Sequence, residues 1–236
     1  MKTQVIGMFS RPLAGVALCA CLLAPMRAKA NVILPTLPPG SEYELVFATS
    51  GEVTGGSSNI SAYNAFATSQ AASLAALLPG DVTWDAVVST GTAAANEAVN
   101  NAPSSASIPI YNTLGIEVST GNLYSGTLLA PINYTQTGGT PPTTQIWTGS
   151  STSGAALNPL GGPSDPEYGL YNSSGASWIA SANNLPAGIG WPIYALSSPI
   201  TAVPEPGTMS LIAVALLCGA GVVLRRRRKS AACDAL

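Results

Sequence analysis

Between Ala30 and Leu224 the chain has no lysine, arginine or histidine, and between Cys21 and Cys218 it has no cysteine. Each absence removes a class of chemistry. Without a basic side chain there is nothing to activate a serine nucleophile, and nothing cationic to meet the charge that develops in phosphoryl transfer. Without a thiol there is no cysteine nucleophile, no disulfide framework and no thiolate metal site in this stretch. Nucleic acid is excluded as a partner, because displacing counterions from phosphates needs Lys or Arg. The acids Glu42, Glu44, Glu52, Asp81, Asp85, Glu97, Glu117, Asp165 and Glu167 stand uncompensated, so this body carries about −9 although the whole chain sums to −2. The pattern points away from an enzyme and calls for no cofactor and no metal.

What is present stands at the two ends. The basic residues are Lys2, Arg11, Arg27 and Lys29, then Arg225, Arg226, Arg227, Arg228 and Lys229. Both groups border apolar runs, where cationic charge acts as a topology signal. Residues 1–30 read as a secretory signal: Lys2 and Arg11 precede an apolar run from Leu13 to Ala24, followed by Pro25 and the small-residue site Ala28, Lys29, Ala30. Cleavage after Ala30 leaves Asn31 as the mature start and implies the Sec export machinery. The run is short for an uncleaved anchor, since a bilayer needs about 20 residues. It also continues past Cys19 and Cys21, which speaks against lipidation there.

At the other end, residues 208–224 are nearly continuous apolar sequence and span roughly 25 Å as a helix, enough to cross a bilayer. The run Arg225 to Lys229 follows at once, so the positive-inside bias puts it and the tail 230–236 in the cytoplasm and the body on the far side. Ahead of the span, Pro204 and Pro206 each remove a backbone donor and bias the preceding residue to extended geometry. Residues 203–207 are therefore a non-helical strip that a protease can hold.

The order Pro204, Glu205, Pro206, then one hydrophobic span, then an arginine cluster resembles the PEP-CTERM sorting signal over residues 203–229. The resemblance implies recognition by an exosortase, an integral-membrane cysteine transpeptidase, in a Gram-negative bacterium that usually also makes exopolysaccharide. On that reading Pro204, Glu205 and Pro206 are recognised residues in a substrate. The protein is held in the membrane by its C-terminal helix and then delivered to the cell surface or extracellular matrix, with exopolysaccharide a candidate partner.

Residues 31–202 read as one exported domain. Tyr43 to Thr49 alternates as a strand, with Tyr43, Leu45 and Phe47 on one side and Glu44, Val46 and Ala48 on the other. Ile60, Tyr63, Ala67, Ala71, Leu74 and Leu78 recur at three- and four-residue steps, predicting a helix opened by Ser58 or Asn59 and stopped by Pro79 and Gly80. Residues 82–89 have strand alternation, and a short helix fits 93–99. Beyond Pro103 the chain is rich in Gly, Ser, Thr, Asn and Pro, with strand-like pieces at 114–118, 145–148 and 178–180 and a mostly loop segment at 149–177. The fold class is α+β: a small antiparallel sheet with one main helix and long loops, plus an N-terminal signal helix and a C-terminal transmembrane helix.

The helix ending in LAALLPG, then VTWDAVVST, the GTLLAPI turn, QIWTG and a last strand near IYALSS resemble the endostatin-like branch of the C-type lectin-like fold across 43–198. The resemblance implies an alternative function as a carbohydrate- or matrix-binding domain. The paired Glu-Pro-Asn or Gln-Pro-Asp and Trp-Asn-Asp motifs of the calcium-dependent sugar binders are missing, so their site is not carried over.

Three kinds of residue remain as candidates. Glu42, Glu44, Asp81, Asp85, Glu97 and Glu117 include the carboxylate pair a glycosidase would need, although their spacing reads as solvated acids. Asp165 and Glu167 flank Pro166 and offer two calcium ligands. Trp178 and Trp191 are the candidates for stacking on a ligand, since Trp84 and Trp147 fall on predicted strands where packing is the default. Asn59, Asn133 and Asn172 begin Asn-x-Ser/Thr triplets, a weak signal for glycosylation in a bacterium.

Overall fold

A computed structural model describes residues 32–203. The leader and its site at Ala28 and Ala30, the tripeptide Pro204 to Pro206, the 208–224 span and the basic run from Arg225 lie outside the described residues. In chain order the elements are β1 (Glu42–Ala48), β2 (Val53–Thr54), α1 (Ile60–Ala71), β3 (Trp84–Ala86), α2 (Ala98–Asn101), β4 (Ile110–Asn112), β5 (Glu117–Ser119), β6 (Gln145–Trp147), β7 (Tyr168–Leu170), β8 (Gly190–Trp191), β9 (Tyr194–Ser197) and β10 (Ile200–Thr201).

Strand β1 sits at the centre, with apolar side chains on both faces, and every residue after Glu42 is buried, Glu44 included. The main sheet runs β3-β9-β1-β4-β5, with β10 on the first residues of β1. The expected antiparallel sheet is corrected at one pair: β1 and β4 run parallel, with Glu44 opposite Ile110 and Val46 opposite Asn112. The chain between them, through α1, β3 and α2, is long enough for the crossover that a parallel pair requires. Two small pairs, β2 with β8 and β6 with β7, lie apart from this sheet.

Helix α1 starts where the sequence predicts, since the Asn59 side chain accepts the Ser61 amide at 3.1 Å and satisfies a first-turn donor. It is shorter than predicted, passing at Ala72–Leu74 into a 3-10 turn. The predicted stripe still holds: Tyr63, Ala67, Ala71, Leu74 and Leu78 are buried against Tyr43, Leu45 and Phe47 of β1, with Trp84 and Ala195. Each large side chain so buried contributes roughly 1.5–3 kcal/mol. The helix is fastened to the edge strand by amides: Asn64 and Asn101 exchange reciprocal 2.9 Å bonds, Asn64 accepts the Ala86 amide and Asn101 donates to the Ala86 carbonyl.

Loops cover the opposite face. Leu123, Tyr124, Leu128, Ile132, Trp178 and Ile179 pack over Val46, Ile110, Tyr194 and Leu196. Three local expectations change here. The predicted 93–99 helix breaks at Glu97 (ψ 142°) into a 3-10 turn and the short α2. The 114–118 piece is mainly the hairpin between β4 and β5, turned at Gly115 (φ +71°) and held by Asn112 Oδ1, which accepts the Leu114 and Ile116 amides. Residues 176–178 form a 3-10 turn instead of opening a strand. The 149–177 segment is mostly loop, and it contributes β7 as the partner of β6.

Candidate sorting junction

The start and end of the described chain meet on β1. Val32, Leu34 and Leu37 pack partly against the α1-side core, and the Ile33 amide donates to Thr113 at 2.9 Å. The chain then turns at Pro38 to Ser41, closed by the Ser41 amide on the Pro38 carbonyl at 3.1 Å, with Gly40 at φ +86°. That φ favours glycine, and Pro39 before it pre-sets the turn. Strand β10 arrives antiparallel, with Tyr43 opposite Ile200 and Glu42 opposite Thr201.

Two further bonds finish the closure. The Ala202 amide donates to Ser41 at 2.8 Å, and the Ala202 carbonyl accepts from Gly40 at 2.9 Å. Ile200 is buried in the core, Ala202 is half-buried, and Val203 emerges 57% exposed. The chain thus leaves the fold one residue before Pro204.

The acids do not behave uniformly. Glu42 and Asp81 are exposed, Asp85, Glu97 and Glu117 intermediate. The reading of all of them as solvated is corrected at Glu44, which points into the loop-covered face and is only 1% exposed, with Oε2 lacking a partner. Burial pushes its pKa up to about 7, and a hydrogen bond from the Ser105 backbone offsets this only in part. Burial also raises Asp85, and both acids further raise the fully buried hydroxyl of Tyr124, which lies between the Ala98 and Ala102 carbonyls at 2.8 Å. Sequence alternation could place Glu44 on a face but could not show that loops close over it.

Asp165 is exposed while Glu167 is buried and accepts from Asn158 Nδ2 at 3.2 Å, so the two carboxylates face different surroundings. Among the described residues no group of three or more His, Cys, Asp or Glu side chains could hold a metal ion. A groove of about 250 Å³ beside the end of α1, lined by residues including Thr68, Leu78, Asp81 and Trp84, is mostly apolar.

The stacking candidates are corrected as well. Trp178 is wholly buried, its ring 5.6 Å from Tyr194, and Trp191 is 7% exposed, its ring 4.3 Å from Trp147. Neither ring is presented to a ligand. Trp178 ends a 3-10 turn that seats its ring against Tyr194 of β9, and Trp191 ends β8 with its ring against Trp147 of β6. Asn59 and Asn172 are exposed and Asn133 is intermediate.

Among the described residues no helix is long and apolar enough to cross a membrane. A comparison with curated proteins gave no match. A family model for the PEP-CTERM protein-sorting motif matches residues 202–228, from the closure residue Ala202 through the tripeptide and the apolar span to Arg228. The chain therefore carries a PEP-CTERM sorting motif directly behind its folded body, the mark of an exported protein sorted by an exosortase.

Proposed function

We propose that this is an envelope or extracellular-matrix protein with no catalytic activity of its own. Its leader directs export through the Sec machinery and is removed after Ala30. The apolar run 208–224 then holds it as a single-pass protein with Arg225 to Lys229 on the cytoplasmic side, until an exosortase acts at Pro204 to Pro206 and releases the body to the cell surface or matrix. The observation that carries this reading is the sorting motif at 202–228, standing behind a body without Lys, Arg, His or Cys. Exopolysaccharide is the partner that such a location would bring to the body.

The test is replacement of Pro204 and Pro206 by alanine in the full chain, in a host that has an exosortase. The expected result is uncleaved precursor retained in the inner membrane. Processing at the normal rate would reject the sorting role.

A further inference from the structure

The sorting motif begins inside the fold. Its first matched residue, Ala202, has both main-chain groups engaged, the amide on Ser41 and the carbonyl on Gly40, while Thr201 and Ile200 are paired with Glu42 and Tyr43. Only Val203 separates this closure from Pro204, and one residue spans at most about 3.6 Å. Enzymes that hold an extended peptide bind it through the same main-chain groups that pair strands. The groups of Ala202 cannot serve the body and an enzyme cleft together.

We propose that the Ala202 closure gates sorting: the exosortase gains its full grip on the motif only when Ala202 leaves the Gly40–Ser41 turn. This rests on the sorting function proposed above and adds its regulation. The gate opens locally, because a two-residue strand that pairs only with the first residues of β1 can fray without unfolding the rest. Ile200, buried in the core, limits how far the fraying runs, and half-buried Ala202 releases first. Gly40 sets the strength of the closure. At φ +86° an L side chain is strained, and an added Cβ meets nothing within 4 Å, so Gly40→Ala acts on the backbone alone.

The experiment is a pulse-chase of the full chain in an exosortase-bearing host, reading the rate at which the C-terminal segment is lost. Gly40→Ala is expected to raise that rate roughly fivefold by weakening the closure. A four-residue Gly-Ser insert between Val203 and Pro204 lies outside the folded body, so it keeps the test open if Gly40→Ala fails to fold. The insert is expected to speed processing similarly and to make it insensitive to Gly40→Ala. Equal rates for the wild-type, Gly40→Ala and insert chains, with the Pro204→Ala, Pro206→Ala chain uncut, would overturn the gate and leave the sorting function standing. A wild-type chain that is never shortened would overturn both.

Discussion

The carbonyl of Ser41 accepts the amide of Ala202 at 2.8 Å, tying the approach to β1 to the last residues of the body. The closure depends on Ile200, which is 2% exposed and anchors β10 in the core. Ile200→Ala should therefore cost about 2–5 kcal/mol, the range for emptying a buried aliphatic site. Urea denaturation of the processed protein checks it, and a loss below about 1 kcal/mol would mean that β10 is not part of the cooperative unit.

Glu44 makes stability depend on pH in an unusual direction for a carboxylate. Its pKa rises to about 7 in the fold from an ordinary 4.5, chiefly through burial. Below the ordinary value the group is protonated in both states and imposes no penalty. As pH climbs from about 4.5 to 7 the unfolded chain loses the proton first, so stability falls, by about 3 kcal/mol at most. Thermal melts at pH 5 and pH 8 should show the difference, and Glu44→Gln should remove most of it. Asp85 and Glu167, both raised by burial, leave a smaller slope of the same sign.

Two buried tryptophans should respond differently to phenylalanine. Trp147 Nε1 donates to Ile189 at 3.0 Å, whereas Trp178 Nε1 is buried without a partner. Trp147→Phe leaves the Ile189 carbonyl short of a donor and should cost about 1–3 kcal/mol beyond the loss of packing. Trp178→Phe removes an unsatisfied donor and should be the milder of the two. Denaturation midpoints of the two variants compare them directly, and a larger loss for Trp178→Phe would contradict this.

The start of α1 should depend on its cap. Asn59→Ala removes the acceptor for the Ser61 amide and should destabilise the protein by about 1 kcal/mol, while Asn59→Asp should retain most of the stability. Melting temperatures of the two variants distinguish loss of the cap from a general effect of substitution.

The features legible in the sequence are those fixed by local spacing. Asn59 and the three- and four-residue steps from Tyr63 locate the start and the buried face of α1, although the helix ends at Ala71, well before the predicted stop at Pro79 and Gly80, and the Pro204 to Arg228 order locates the sorting motif. What was not legible depends on which distant segments meet. The parallel pairing of β1 with β4 joins strands whose own patterns carry no direction. Glu44 alternates like a surface acid, and only the loops around Tyr124 turn its face into an interior. Trp178 opens a strand-like piece behind a Gly- and Ser-rich stretch and reads as exposed, yet a 3-10 turn drives its ring onto Tyr194. The two bonds of Ala202 likewise need Gly40 and Ser41, which lie at the other end of the body.

The most direct measurement is mass spectrometry of both ends of the mature protein, from cells with and without an active exosortase. Export and sorting require a chain that begins at Asn31 and has lost the apolar span and Arg225 to Lys229 in the first cells, and that keeps its Leu236 end in the second. Recovery of an intact Leu236 terminus from cells with an active exosortase would contradict the central claim.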